Sequence, residues 1–202
     1  ELMQASGQAL LQGDAVPAQF WRDLAVAAMY RPLSMLDGAD NLLKAAPPPE
    51  LSLLLMRSVI DAQLERDLRQ RIAPIGTISD AVSLAVRNMY EGHPYPRWFS
   101  LDRRPPAEFA VWMRGQVPVL PPALALPAAP KILVAGCGTG RDAISLAAEI
   151  SGAQVLAIDL SLSSIAYAKR MADELGVCNI EFRHADILEL GGLGERFDII
   201  YS

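Results

Sequence analysis

Apolar and polar positions alternate between two regimes along this chain. Ile132, Leu133, Val134 and Ala135 form a short unbroken apolar run, the pattern of a parallel strand buried on both faces. Gly136 to Gly140 then reads G-x-G-x-G, and a helix is predicted from Arg141 to Ile150. Gln154 to Ile158 predicts a second strand, ending in Asp159. Ser161 or Ser163 is placed to cap the next helix, whose Ile165, Ala168, Ala172 and Leu175 share one face and which Gly176 stops. Asn179 to His184 alternates as a third strand and leads into Ala185 and Asp186; Phe197 to Ser202 reads as a fourth. The order β-α-β-α-β-loop-β, with polar residues at the carboxyl ends of the strands, predicts an α/β, Rossmann-like sheet.

Before this region the pattern is helical. Leu2 to Leu11, Ala18 to Tyr30, Leu51 to Leu68 and Ser79 to Tyr90 are the predicted helices, with Pro17 in the first turn of the second and Ser79 capping the last. Pro47-Pro-Pro49 interrupts them and joins two helical hairpins. Leu53, Leu54, Ser58, Ala62 and Leu64 mark a broad buried face; Arg66, Asp67, Arg69 and Arg71 mark a solvated one. Tyr90-Glu-Gly-His-Pro-Tyr-Pro-Arg-Trp98 packs aromatic, proline and charged residues into one extended stretch. A proline-rich connector with a short helix near Ala107 to Arg114 follows. The expected organisation is a helical domain over 1–92, a lid and connector over 93–130, and the α/β region over 131–202.

The candidate chemistry sits at the strand ends. Glycines let the backbone turn sharply and let a ligand approach the main chain, and the helix after them points free N–H groups at that ligand. Asp159 lies 19 residues after Gly140, near the spacing of a ribose-binding carboxylate.

Val134-Ala-Gly-Cys-Gly-Thr-Gly140, Leu156-Ala-Ile-Asp-Leu-Ser161, His184-Ala-Asp-Ile187 and Phe197-Asp-Ile-Ile-Tyr201 together resemble the successive motifs of class I S-adenosylmethionine-dependent methyltransferases. The resemblance covers Lys131 to Ser202 and implies the first four strands of that sheet, with S-adenosyl-L-methionine as cofactor. The cofactor-binding residues it implies are Gly136, Cys137, Gly138, Gly140, Asp159, Leu160, Asp186 and Ile187. In the family pattern the backbone of Gly136, Cys137 and Gly138 passes along the methionine part. Asp159 takes both ribose hydroxyls, Leu160 packs on adenine, Asp186 accepts from its amino group and the Ile187 N–H meets the ring. Ser202 lies where the substrate pocket opens. Many members carry an acid where this chain has Val134. The Tyr90–Trp98 stretch resembles a Tyr-Glu-x-x-Pro-Tyr-Pro-Arg-Trp element that precedes the methyltransferase domain in a group of bacterial proteins; it reads either as a lid over the site or as glue for the helical domain.

Composition adds bounds. Hydrophobic content is 51%, but no 18-residue apolar run predicts a membrane span. A net charge of −5 without clustered Lys and Arg argues against a nucleic-acid partner. Cys137 and Cys178 form no C-x-x-C pair, as expected of a reduced cytoplasmic protein, and the histidines His93 and His184 have no metal-ligand spacing. The chain opens at Glu1 and stops at the fourth strand of an expected seven, so it reads as a fragment. The expected partner is a small-molecule or protein methyl acceptor. No catalytic residue is assigned: His184 points off its strand, and His93 belongs to the possible lid. A binding module that keeps the cofactor fold without turnover is the alternative. A nicotinamide-dependent oxidoreductase is disfavoured, because Arg141 stands where G-x-G-x-x-G needs its third glycine.

Overall fold

The computed structural model describes residues 17–92, 94–121 and 123–202. The expected helix over Leu2 to Leu11 and the candidate base His93 lie outside the described residues. The chain divides into two compact units, Glu1–Arg66 and Asp67–Ser202. Among the described residues no helix is long and apolar enough to cross a membrane.

The first unit is helical. It contains α1 (Ala18–Ala28), a 3-10 turn (Leu33–Met35), α2 (Ala39–Leu42), α3 (Pro49–Leu55), a π turn (Met56–Ile60) and the start of α4 (Asp61–Arg69). Pro49 opens α3 in its first turn, where its missing N–H costs no hydrogen bond. Phe20, Trp21 and Leu24 of α1 meet Leu33, Leu42, Leu55 and Val59 in the unit's core. The third helix buries a different face from the expected one. Leu53 and Leu64 are exposed, while Leu55, Val59, Asp61 and Glu65 are buried. The π turn widens the helix in mid-course, so a pattern extrapolated at 3.6 residues per turn loses phase. Asp61 is tolerated inside because Arg57, one turn earlier, pairs with it at 3.0 Å.

The second unit is built on a five-stranded parallel sheet: β1 (Pro74–Ile75), β2 (Lys131–Ala135), β3 (Gln154–Asp159), β4 (Ile180–Ala185) and β5 (Ile199–Tyr201). The strand order is β1-β4-β3-β2-β5. Four of these strands match the expected ones. β1 was not expected; two residues carry no alternation, and the strand exists only because β4 offers it an edge. His184 N–H donates to Ala73 O at 3.0 Å there. Pro74 fits this place because an edge strand leaves one side without ladder partners.

The sheet sorts its side chains by period two. Ile132, Val134, Val155 and Ala157 face α6 (Phe109–Gln116), α7 (Arg141–Glu149) and α8 (Leu162–Leu175) in the main core. Leu133, Ala135, Ile158 and Ala185 face the other way into a smaller cluster with Ile75 and Leu190. α5 (Ala81–Gly92) packs on α8. From β2 the chain steps to β3 and β4 on one side, then returns to place β5 on the other. The order therefore reverses beside β2, the switch point at which ligands bind in open parallel sheets.

Candidate functional site

The turn after β2 folds back onto the end of β3. Gly136 and Cys137 N–H groups both donate to Ile158 O, at 2.9 and 2.8 Å. Gly138 N–H donates to Asp159 Oδ2 at 2.7 Å, and Ser161 N–H donates to Asp159 Oδ1 at 2.8 Å. Asp159 thus ties the glycine turn to the start of α8. Ser161 caps that helix, its Oγ accepting from Ser164 N–H at 3.1 Å.

The three glycines of the turn do two different jobs. All have positive φ: 79° at Gly136, 52° at Gly138 and 79° at Gly140. A Cβ at Gly136 or Gly138 would meet open space. At Gly140 it would stand 2.4 Å from Ala168 Cβ. The first two glycines leave room above the turn; the third lets α7 begin against α8.

That room is part of a cavity of about 340 Å³ at the carboxyl ends of β2, β3 and β4. Its floor is Ala135, Gly136, Gly138, Asp159, Leu160, Ser161, Ser164, Ala185 and Ile187; its wall is Val86, Arg87, Tyr90 and Tyr95. Five of the residues expected at a site line it: Gly136, Gly138, Asp159, Leu160 and Ile187. Cys137, Gly140 and Asp186 do not. Asp186 is buried, and its Oδ1 accepts from Leu188 N–H at 3.0 Å, capping the 3-10 turn Ile187–Gly192. A second hollow of about 640 Å³ lies between α6, α7 and β5, where Tyr201 donates to Asp142 Oδ2 at 3.2 Å. It has no glycine turn and sits away from the strand-end carboxylate.

Electrostatics mark Asp159. Burial raises its carboxyl above the ordinary range, while N–H groups of Ser161 and Gly138 and the charge of His184 pull it partly back. His184 Nε2 lies 2.8 Å from Leu160 O. A carbonyl only accepts, so that nitrogen carries its proton there and is committed to holding Leu160. Burial and the Asp159 charge push the Cys137 thiol well above its usual value. Cys178 is exposed. At pH 8, iodoacetamide is therefore expected to label Cys178 at least tenfold faster than Cys137, read by peptide mass spectrometry; equal rates would contradict the thiol's placement.

The Tyr90–Trp98 stretch divides residue by residue. Trp98 is buried; its backbone N–H donates to Tyr167 Oη at 2.9 Å and its Nε1 donates to Thr139 O at 3.0 Å. The Arg97 guanidinium lies 4.9 Å from the centre of the Tyr167 ring. Glu91 pairs with Arg69 and accepts from Ser161 Oγ and Ser163 N–H at 3.1 and 3.2 Å. Tyr90 and Tyr95 line the cavity. Val86 and Arg87 belong to no motif; their place four and three residues before Tyr90, on the helix face that leads into the aromatic stretch, is the one signal in the sequence that could find them.

A family model described as "Methyltransferase domain" matches residues 132–202. An uncharacterized protein of Synechococcus sp. is 30% identical over 141 residues, 65% of this chain and 32% of its own length. A release factor glutamine methyltransferase of Xylella fastidiosa is 43% identical over 67 residues, 33% of this chain and 24% of its own. The chain thus spans a third or less of these relatives. A solved structure described under "Conversion of a Disulfide Bond into a Thioacetal Group during Echinomycin Biosynthesis" is 32% identical, covering 60% of this chain and 46% of that one, with a TM-score of 0.39. The glycine turn, the strand-end Asp159 and strands β2 to β5 all lie in the segment 132–202, which is similar to methyltransferase domains.

Proposed function

We propose that the protein is an S-adenosylmethionine-dependent methyltransferase acting on a small-molecule or protein acceptor, with its cofactor in the cavity above the glycine turn. The observation that carries this is Asp159, a strand-end carboxylate facing a cavity floored by two glycines that leave open space. The cavity's size falls in the range of small-molecule sites, about 300–1,000 Å³. Each Asp159 oxygen already accepts one N–H, and a carboxylate has about four acceptor sites, so capacity remains for two ribose hydroxyls. In this reading Gly136, Cys137 and Gly138 present backbone to the methionine part. Leu160 and Ile187 face the adenine, Asp186 serves by holding the turn that carries Ile187, and Gly140 serves through its packing. In this reading residues 17–66 serve as a helical unit, and 67–92 bring β1 and α5 to the methyltransferase-like sheet.

When bound, the cofactor supplies a methyl group already activated on a sulfonium. The protein's own work is then to bind, align and exclude water. The release factor glutamine methyltransferases share only a third of this chain, so their name does not assign its acceptor. Val134 is buried in the sheet at the place where the resembled family pattern has an acid, and this favours a second reading, a cofactor-binding module without turnover.

Calorimetric titration tests the reading. S-adenosylmethionine and S-adenosylhomocysteine are expected to bind, NAD is not, and Asp159→Ala is expected to abolish the signal. A well-folded protein that binds neither sulfur compound would sink it. Binding without methyl transfer to any acceptor in a screen of thiols, hydroxyls, amines and peptides would favour the second reading.

A further inference from the structure

The cavity floor belongs to the matched methyltransferase segment, but its wall comes from residues that precede it. Two sets of hydrogen bonds fix that wall against the floor in one direction. At one end Glu91, beside Tyr90, accepts from Ser161 Oγ and Ser163 N–H, which places Tyr90 near the stretch that begins at Asp159. At the other end Pro96 O, beside Tyr95, accepts from Thr139 Oγ1 at 2.7 Å, and Trp98 Nε1 donates to Thr139 O. Tyr95 therefore stands beside the glycine turn. The wall runs in the same sense as the floor: Tyr90 by Ser161 and the start of α8, Tyr95 by Thr139 of the glycine turn.

Arg87 is the cationic residue of the lining and lies one helical turn before Glu91, on the side of Tyr90. The floor's carboxylate, Asp159, reaches the glycine turn, its Oδ2 accepting from Gly138 N–H at 2.7 Å. Beside that turn the wall contributes the Tyr95 ring. Tyr90 and Tyr95 are 40% and 76% exposed, whereas Trp98, which anchors the stretch, is 7% exposed. The two tyrosines thus keep ring surface that a ligand of the cavity would cover.

Resting on the cofactor reading above, we propose that Tyr95 discriminates the charged methyl donor from its uncharged demethylated product, while Tyr90 serves the nucleoside end of both alike. A sulfonium is a cation, and the face of an aromatic ring attracts it; a thioether of the same shape gains no such attraction. A neutral aliphatic side chain at 95 would keep the apolar contact and lose the preference. A phenylalanine there would keep the ring.

The test is calorimetric titration of S-adenosylmethionine and S-adenosylhomocysteine into the wild type, Tyr95→Leu, Tyr95→Phe and Tyr90→Leu, with melting temperatures recorded for all four. Both tyrosines are exposed, so the variants are expected to melt with the wild type. Tyr95→Leu is expected to lower the affinity for the sulfonium relative to the thioether by about two- to fivefold, and Tyr95→Phe to restore the ratio. Tyr90→Leu is expected to weaken both ligands equally. An unchanged ratio in Tyr95→Leu, or a ratio that Tyr95→Phe fails to restore, overturns the assignment while leaving the cofactor reading intact. A wild type that binds neither compound overturns both.

Discussion

Gly140→Ala is expected to lower the melting temperature by about 4–20 °C. Two costs add. A residue with a Cβ at φ 79° costs about 1–2 kcal/mol. Its methyl group would also stand 2.4 Å from Ala168 Cβ and 3.2 Å from Ala168 Cα, so α8 must shift, at about 1–3 kcal/mol for an overpacked site. At about 2–4 °C per kcal/mol for a chain of this size the range follows. The double variant Gly140→Ala with Ala168→Gly should recover the methyl–methyl part of the loss, less about 1 kcal/mol for a glycine inside a helix. Gly136→Ala makes the contrast. It has the same φ but open space around the new methyl, so it should cost only the backbone share and instead obstruct the cavity. Thermal unfolding of the three variants decides this. A Gly140→Ala protein that melts within a degree of the wild type would remove the packing role given to that glycine.

Asp159→Asn is expected to weaken S-adenosylmethionine binding about 10- to 100-fold, from the loss of charge-assisted bonds worth about 1.5–3 kcal/mol. The amide nitrogen would also face Gly138 N–H, donor against donor, where the carboxylate accepts at 2.7 Å. Folding stability should change much less. Burial is the largest influence on this carboxyl and disfavours its charge, so removing the charge relieves part of what the lost hydrogen bonds cost. The pH dependence follows from the same direction. Hydroxyl donors favour the ionised form, so the bound state has the lower pKa. Affinity in the wild type should therefore be constant at neutral pH and fall on acidification, beginning above the ordinary aspartate value of 3.8 because the free protein's carboxyl is raised. The Asp159→Asn protein should show no such fall in that window. For the ligand-free protein the sign reverses. Its stability from this group is fully present below the unfolded pKa and is lost as pH rises through the raised folded one. Titrations at stepped pH that show identical profiles in both proteins would deny Asp159 contact with the ligand.

Some of the site could be read before any coordinates. Gly136, Gly138, Asp159, Leu160 and Ile187 line one cavity because each follows directly on a strand end, and strand ends are legible from apolar runs. Gly140 and Asp186 look the same in the sequence as their neighbours, yet one packs on Ala168 and the other caps a 3-10 turn. Their surroundings are set by α8 and by the backbone beyond β4, not by local spacing. The Tyr90–Trp98 stretch was recognisable as unusual, but its composition could not say that Trp98 is an anchor and Tyr95 a cavity wall. That distinction arises from Thr139 and Tyr167, 41 and 69 residues away from Trp98 in the chain.

The local pattern of this chain by itself determined four parallel strands, the helices between them, the glycine turn and the acid after it. These features depend on neighbours within one or two turns, where period two, period 3.6 and turn chemistry operate. Tertiary structure alone decided the rest: the strand Pro74–Ile75, which forms because β4 has an open edge; the phase of the helix after Leu55, which a π turn resets; and the wall of the cavity. Each of these is a pairing between segments far apart in the chain, and such pairings are selected by which surfaces remain to be covered once the sheet has formed.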